Sequence, residues 1–114
     1  MRSHKDLIAW QRARVQTLAV FELAGARWSP SLAAPWDQLR RAALSVQLNL
    51  AEGHAMGPGR RCAYHVRIAY GSAVEVTELL ELLDCLGLPT RELVAESRRV
   101  QALTHALHRS LTER

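Results

Sequence analysis

The sequence is short of aromatic residues, of cysteine and of long apolar runs. Aromatic residues make up 5% of the chain and the 3 tryptophans suit core or interface positions, so the composition does not favour recognition of single strands by base stacking. No apolar run approaches the roughly 20 residues of a membrane span. The N-terminal segment MRSHKDLIAW lacks the apolar stretch of a signal peptide, which predicts a cytoplasmic protein without membrane association.

The 2 cysteines, Cys62 and Cys85, are not expected to form a disulfide with each other. They lie 23 residues apart in what reads as one helix, a separation of roughly 35 Å at about 1.5 Å per residue. Two unpaired thiols fit a reducing compartment. Neither cysteine belongs to a C-x-x-C motif or has zinc-knuckle spacing, so we expect no metal site and no cofactor.

The composition is that of one folded helical domain, residues 1–114. Hydrophobic residues make up 48% and charged residues 23%, which allows a buried core and differs from the composition of disordered chains. The apolar residues include 18 Leu and 17 Ala but only 8 Val and 2 Ile, and these proportions favour helix over sheet. We therefore expect an all-α fold.

Turn-forming segments divide the sequence into four predicted helices. The breaks are WSPSLAAPW, GHAMGPG and GLPT. The helices are predicted at residues 6–27, 35–53, 58–86 and 90–112. Asp6 and Thr90 are the predicted N-caps of the first and fourth helices, and Gly53 is the predicted end of the second. Short connections make neighbours antiparallel, which predicts an up-down-up-down four-helix bundle.

Apolar or small residues recur at helical spacing in each predicted helix. The predicted core stripes are Trp10, Ala13, Thr17, Val20 and Ala24; Leu39, Ala43, Val46 and Leu50; Val66, Ala69, Ala73, Val76, Leu80 and Leu83; and Leu93, Val100, Leu103, Leu107 and Leu111. The third helix has a second apolar stripe at Ile68, Leu79, Leu82 and Leu86. A helix that is apolar on two sides predicts packing against another subunit, and hence a homo-oligomer.

Charge is distributed unevenly along the chain. The net charge is +4, and all but 1 of the 15 basic residues are arginine. Residues 40–67 hold five arginines and one glutamate, whereas residues 68–96 hold six acidic residues and one arginine. The third helix therefore has its basic end at its N-terminus, against the preference of the helix dipole. Ion pairs with the second or fourth helix, contact between subunits, and a solvated face are three open explanations.

Three segments resemble a known family. QLRRAALSVQLNLAEG (residues 38–53) and IAYGSAVEVTELLELLDCLG (residues 68–87) resemble the four-helix-bundle proteins encoded in intervening sequences of bacterial 23S rRNA genes, and DLIAWQRA (residues 6–13) resembles their first helix. The resemblance implies a compact bundle that assembles into a ring, commonly a pentamer. It extends to accessory proteins of diversity-generating retroelements, which bind a reverse transcriptase and nucleic acid. The chain departs from the family at Gln47, where proline is usual, and in the loop GHAMGPGRR.

Two groups of residues are candidate sites. Arg60, Arg61 and Arg67, with Arg40 from the second helix, are the predicted phosphate contacts for a nucleic acid. The second helix also has a polar stripe, which consists of Arg41, Ser45, Asn49 and Glu52. This stripe is expected to meet Ser72 and Glu75 of the third helix. This stripe is interpreted as a network that sets helix register or a subunit interface, with a ligand or RNA-base site as the alternative. Gly71, in mid-helix, predicts the close approach of another backbone.

No set of residues in the sequence favours catalysis. His105 with His108, and Cys62 with His65, each supply two metal ligands at helical spacing, and two ligands do not define a site. The leading hypothesis is a non-enzymatic homo-oligomer that binds RNA or another nucleic acid through its basic surface. The alternative is a protein-interaction scaffold that recruits a partner such as a reverse transcriptase. A metal-dependent enzyme is a third possibility, which metal analysis of the purified protein would test.

Overall fold

The chain folds into four long helices. A computed structural model describes residues 3–113. The helices are α1 (Ile8–Arg27), α2 (Ala33–Ala55), α3 (Arg60–Cys85) and α4 (Arg91–Thr112), with short 3₁₀ turns at His4–Asp6 and Pro30–Leu32. The all-α, four-helix prediction is confirmed, and each predicted helix boundary lies within two residues of the observed one.

Neighbouring helices pack side by side around one core. Along α2, Gln38 hydrogen-bonds to Glu75 and Asn49 to His65, so the partner numbers on α3 fall as α2 advances and the two helices are antiparallel. The contacts of α1 with α2, and of α3 with α4, follow the same pattern of rising and falling residue numbers, so both of these helix pairs are also antiparallel. The fourth side is closed by α1 against α4, giving a body of 45 × 21 × 20 Å. Within residues 3–113, no helix is long and apolar enough to cross a membrane.

The predicted stripes of the first three helices form the core. All of their residues are buried, including Trp10, Leu50 and Leu83. In α4, Val100 is buried, and the leucines of its stripe are partly buried against the core. The second stripe of α3 is divided, because Leu79 packs against the core while Leu82 and Leu86 are exposed. This burial pattern confirms the periodicity that defined the helices.

Of the two predicted N-caps, Thr90 is confirmed in position and Asp6 is wrong. The Asp6 carboxylate accepts a hydrogen bond from the Ser3 backbone N–H, within a capping box around the first 3₁₀ turn, so Asp6 does not cap α1. Leu7 occupies that N-cap position instead. Thr90 does stand at the N-cap of α4, but its Oγ1 donates to the Leu80 carbonyl at 2.7 Å rather than capping α4. Thr90 is fully buried, and this bond fixes the start of α4 against α3.

Both cysteines carry free thiols, which agrees with the spacing argument against a disulfide. Cys85 is exposed near the end of α3, whereas Cys62 is half-buried in its first turn. Burial raises the pKa of the Cys62 thiol. Cys62 contributes to the wall of an apolar cavity of about 410 Å³ at the end of the bundle, and Leu50, Val66 and Leu107 lie in the same wall.

Gln16 is the least satisfied polar side chain of the core. It lies on α1 at 3% exposure, and neither its amide nitrogen nor its oxygen has a hydrogen-bond partner within residues 3–113. Because an unpaired buried amide carries a desolvation penalty, we expect Gln16→Leu to raise the free energy of unfolding by about 1–2 kcal/mol in chemical denaturation. Gln16→Glu should lower it, since it buries an unpaired charge. Destabilisation by leucine would contradict this description of the site.

Candidate functional site

A line of polar side chains joins α2 to α3. Ser45 Oγ lies 2.7 Å from Ser72 Oγ, and the Asn49 amide donates to the Ser45 carbonyl at 2.9 Å. Asn49 Oδ1 in turn lies 3.0 Å from Nδ1 of His65. Each of these groups is part-buried and has a partner, as buried polar groups require. We call Ser45, Asn49, His65 and Ser72 the polar seam.

The other three residues of the predicted stripe are not members of the polar seam. Glu52 is exposed, with its carboxylate 3.5 Å from His65 Nδ1. Glu75 accepts a hydrogen bond from Gln38 rather than from the stripe itself. Arg41 is exposed and has no side-chain partner among residues 3–113. The structure thus brings Ser45, Asn49 and Ser72 together and leaves Arg41 outside.

His65 is a member of the polar seam that our sequence analysis did not include. The available signal was its spacing of seven residues from Ser72, because positions i and i+7 lie on the same face of a helix. The His65 side chain is only 20% exposed, and its ring packs edge-on against the ring of Tyr64.

Gly53 of α2 packs closely against α3. A Cβ atom placed there would lie 3.1 Å from Cβ of His65 and 3.3 Å from the Cys62 carbonyl oxygen. The expected helix end at Gly53 was wrong, since α2 continues to Ala55. The expected close approach at Gly71 is not made by another helix of the same chain, because nothing within residues 3–113 lies within 4 Å of a Cβ placed there. Glycine is needed at position 53 for packing and not for a turn.

Alanine substitutions at Gly53 and Gly71 should therefore have opposite effects. Gly71→Ala should raise the free energy of unfolding by about 0.5–1 kcal/mol, because alanine is the better helix former and the site is open. Gly53→Ala should lower it by about 1–2 kcal/mol despite the same propensity gain, because the added methyl group meets the Cys62 carbonyl oxygen and Cβ of His65. Denaturant titration of both variants measures the difference. A loss at Gly71 would show that a second copy packs there.

Three predicted phosphate contacts lie together on the first two turns of α3. Arg60, Arg61 and Arg67 are exposed, and none of them has an ion pair within residues 3–113. Arg60 and Arg67 lie on one line of the helix surface, about 10 Å apart at 1.5 Å per residue, and Arg61 lies to one side. We call these three residues the arginine surface.

Arg40, the fourth predicted contact, lies elsewhere. Its guanidinium is 2.9 Å from the Asp37 carboxylate and 5.9 Å from the ring centre of Phe21 on α1. Arg40 therefore lies on the side of α2 that faces α1, and the structure does not bring it to the arginine surface. An arginine that is already paired and stacked is also less available to a phosphate.

The acidic half of α3 differs from the basic half in its partners. Glu81 lies 3.6 Å from Arg98, and Asp84 lies 3.8 Å from Arg91, both on α4. Of the three explanations left open by the sequence, ion pairing with the fourth helix accounts for this part of the acidic ridge. The arginine surface has no such pairing, so its charge faces outward.

The loop before α3 adds to the positive potential of this end. Gly57 and Gly59 have φ values of 74° and 134°, which favour glycine. Gly59 is the N-cap of α3 and supplies no side-chain cap, so the positive end of the helix dipole lies beside Arg60 and Arg61. A cavity of about 420 Å³ opens next to Arg60, against Leu111 at the end of α4.

The described part of the chain shows no cluster of three or more His, Cys, Asp or Glu side chains placed to hold a metal ion. In each of the two pairs considered from the sequence, one histidine contacts another residue. His105 packs against Tyr70 with ring centres 5.1 Å apart, and His65 belongs to the polar seam.

Comparison with protein families agrees with the resemblance of the segments. A family model described as 23S rRNA-intervening sequence protein matches residues 5–109. The chain belongs to this family. The match covers nearly all of the four helices, including the polar seam and the arginine surface. Curated proteins and solved structures give no significant match.

Proposed function

We propose that this protein is a non-enzymatic homo-oligomer that binds RNA or another nucleic acid through the arginine surface. The observation that carries the proposal is the contrast along α3. Its acidic residues Glu81 and Asp84 pair with α4, whereas Arg60, Arg61 and Arg67 have no internal partner within residues 3–113. Three guanidinium groups on two helical turns repel one another, and a polyanion relieves that repulsion.

Arginine suits this task because its planar fork donates two parallel hydrogen bonds to a phosphate. The net charge of +4 and the uncapped start of α3 act in the same direction, by attracting anions to this end of the bundle. Contacts of this kind position a nucleic acid without reading its sequence.

The outer surface of α1 supports the oligomeric part of the proposal. Ile8, Val15 and Leu18 are 63%, 55% and 59% exposed, and they lie along one face of the helix. Leu82 and Leu86, from the second stripe of α3, are also exposed. Apolar faces of this kind are buried when copies of a chain associate. A ring, commonly a pentamer in the family that the segments resemble, would repeat the arginine surface around its circumference.

The same apolar faces favour the second candidate function, a scaffold that recruits a protein partner. In that case the apolar residues contact the partner, and the arginine surface pairs with acidic groups of a neighbouring subunit. The two candidates differ in what removal of the arginines does, which makes them separable by experiment.

Substitution of the arginine surface tests the proposal directly. For the native protein, we expect the logarithm of the RNA association constant to fall linearly with the logarithm of the salt concentration. Arg60→Gln with Arg61→Gln should reduce the steepness of that slope by about 1–2, because each phosphate contact contributes roughly 0.7–0.9. Arg27→Gln with Arg99→Gln removes the same charge from exposed arginines elsewhere, and we expect it to leave the slope nearly unchanged. Fluorescence anisotropy with a labelled RNA measures all three.

Light-scattering mass of the same samples separates the candidates. Reduced RNA affinity in an oligomer of unchanged mass supports nucleic-acid binding, whereas dissociation of the oligomer, or unchanged RNA affinity, supports the scaffold. Absence of RNA binding at low salt, or binding without salt dependence, would contradict the proposal. A particle of 12.8 kDa at micromolar concentration would contradict the oligomer.

A further inference from the structure

Tyr64 is the most exposed aromatic side chain of α3. It is 61% exposed on the first two turns of the helix, where its ring meets the His65 ring edge-on with centres 5.6 Å apart. The outer face of the ring makes no aromatic or cation–π contact within residues 3–113. A large apolar ring held open to solvent in this way is available to a ligand.

Tyr64 stands inside the arginine surface. Arg60 precedes it by four residues and Arg67 follows it by three, so one arginine lies a turn below the ring and the other a turn above. Arg61, three residues before it, flanks the ring on the other side. No acidic residue of α3 precedes Glu75, so no carboxylate on this helix stands next to the ring.

This combination selects among the ligands that could use an arginine surface. A ring between guanidinium groups matches a nucleotide whose base stacks on the ring while its flanking phosphates meet the arginines. A duplex offers phosphates but hides the faces of its bases within the helical stack. A protein partner would need acidic and apolar groups at the same spacing, whereas a nucleic-acid strand carries both features at every residue.

From this geometry we infer that Tyr64 is a base-stacking residue, so that the arginine surface takes single-stranded RNA in preference to duplex. The inference rests on the proposed function and adds the class of nucleic acid to it. It also revises the expectation drawn from the low aromatic content, because one aromatic ring in the right place is enough to stack one base.

Variants of Tyr64 separate stacking from charge. We expect Tyr64→Ala to weaken binding of a single-stranded RNA roughly 5- to 150-fold, the range for loss of one base–aromatic stack. The salt slope should stay unchanged, because no charge is lost. Tyr64→Phe should bind as the native protein does. Trp28→Ala removes an exposed aromatic residue from the opposite end of the bundle and should have no effect.

The same variants are titrated with a duplex of the same length, for which we expect little change with Tyr64→Ala. Equal losses on single strand and duplex, or no loss on either, would overturn the inference. If Tyr64→Ala binds normally while Arg60→Gln with Arg67→Gln does not, the proposed function stands and the stacking role fails. If the native protein binds no RNA, both fail. Dissociation of the oligomer by Tyr64→Ala would make Tyr64 an interface residue instead.

Discussion

The close packing of α2 against α3 determines which residues the rest of the molecule can present. At Gly53 a Cβ atom would lie 3.1 Å from Cβ of His65 and 3.3 Å from the Cys62 carbonyl oxygen, so a side chain there would press against α3. One turn away, the polar seam sets the register of the two helices through the pair Asn49 and His65. With that face of α3 committed to α2 and the stripe through Val66 buried in the core, the face carrying Arg60, Tyr64 and Arg67 must point to solvent.

The polarised charge of α3 gains a physical explanation from this arrangement. Its acidic part is used internally, because Glu81 and Asp84 reach arginines of α4 and help to hold the two helices together. Such exposed pairs each contribute little to stability. Its basic part adds to the positive end of the helix dipole rather than offsetting it, a cost that a bound polyanion removes. The structure thus separates the acidic residues that pair with α4 from the arginines of α3 that have no ion pair among residues 3–113.

Periodicity in the sequence predicted the four helices and most of the buried apolar positions, because a helix buried on one side repeats apolar residues every three or four positions. It missed the fully buried Trp36. It could not predict the glycine at which helices meet. Gly53 and Gly71 look alike in sequence, and only the positions of neighbouring helices show that Gly53 is crowded and Gly71 is open. Arg40 was grouped with Arg60 by type, yet its helix face turns it toward Phe21. Tyr64 was missed because composition counts aromatic residues without placing them.

Ultraviolet crosslinking of the native protein to a labelled single-stranded RNA, followed by mass spectrometry of the peptides, tests the central claim most directly. If the first two turns of α3 form the nucleic-acid contact, the crosslinked peptides contain residues 60–67, and Tyr64 is the expected point of attachment. Crosslinks confined to other helices, or no crosslink under conditions where the RNA is bound, would contradict the account.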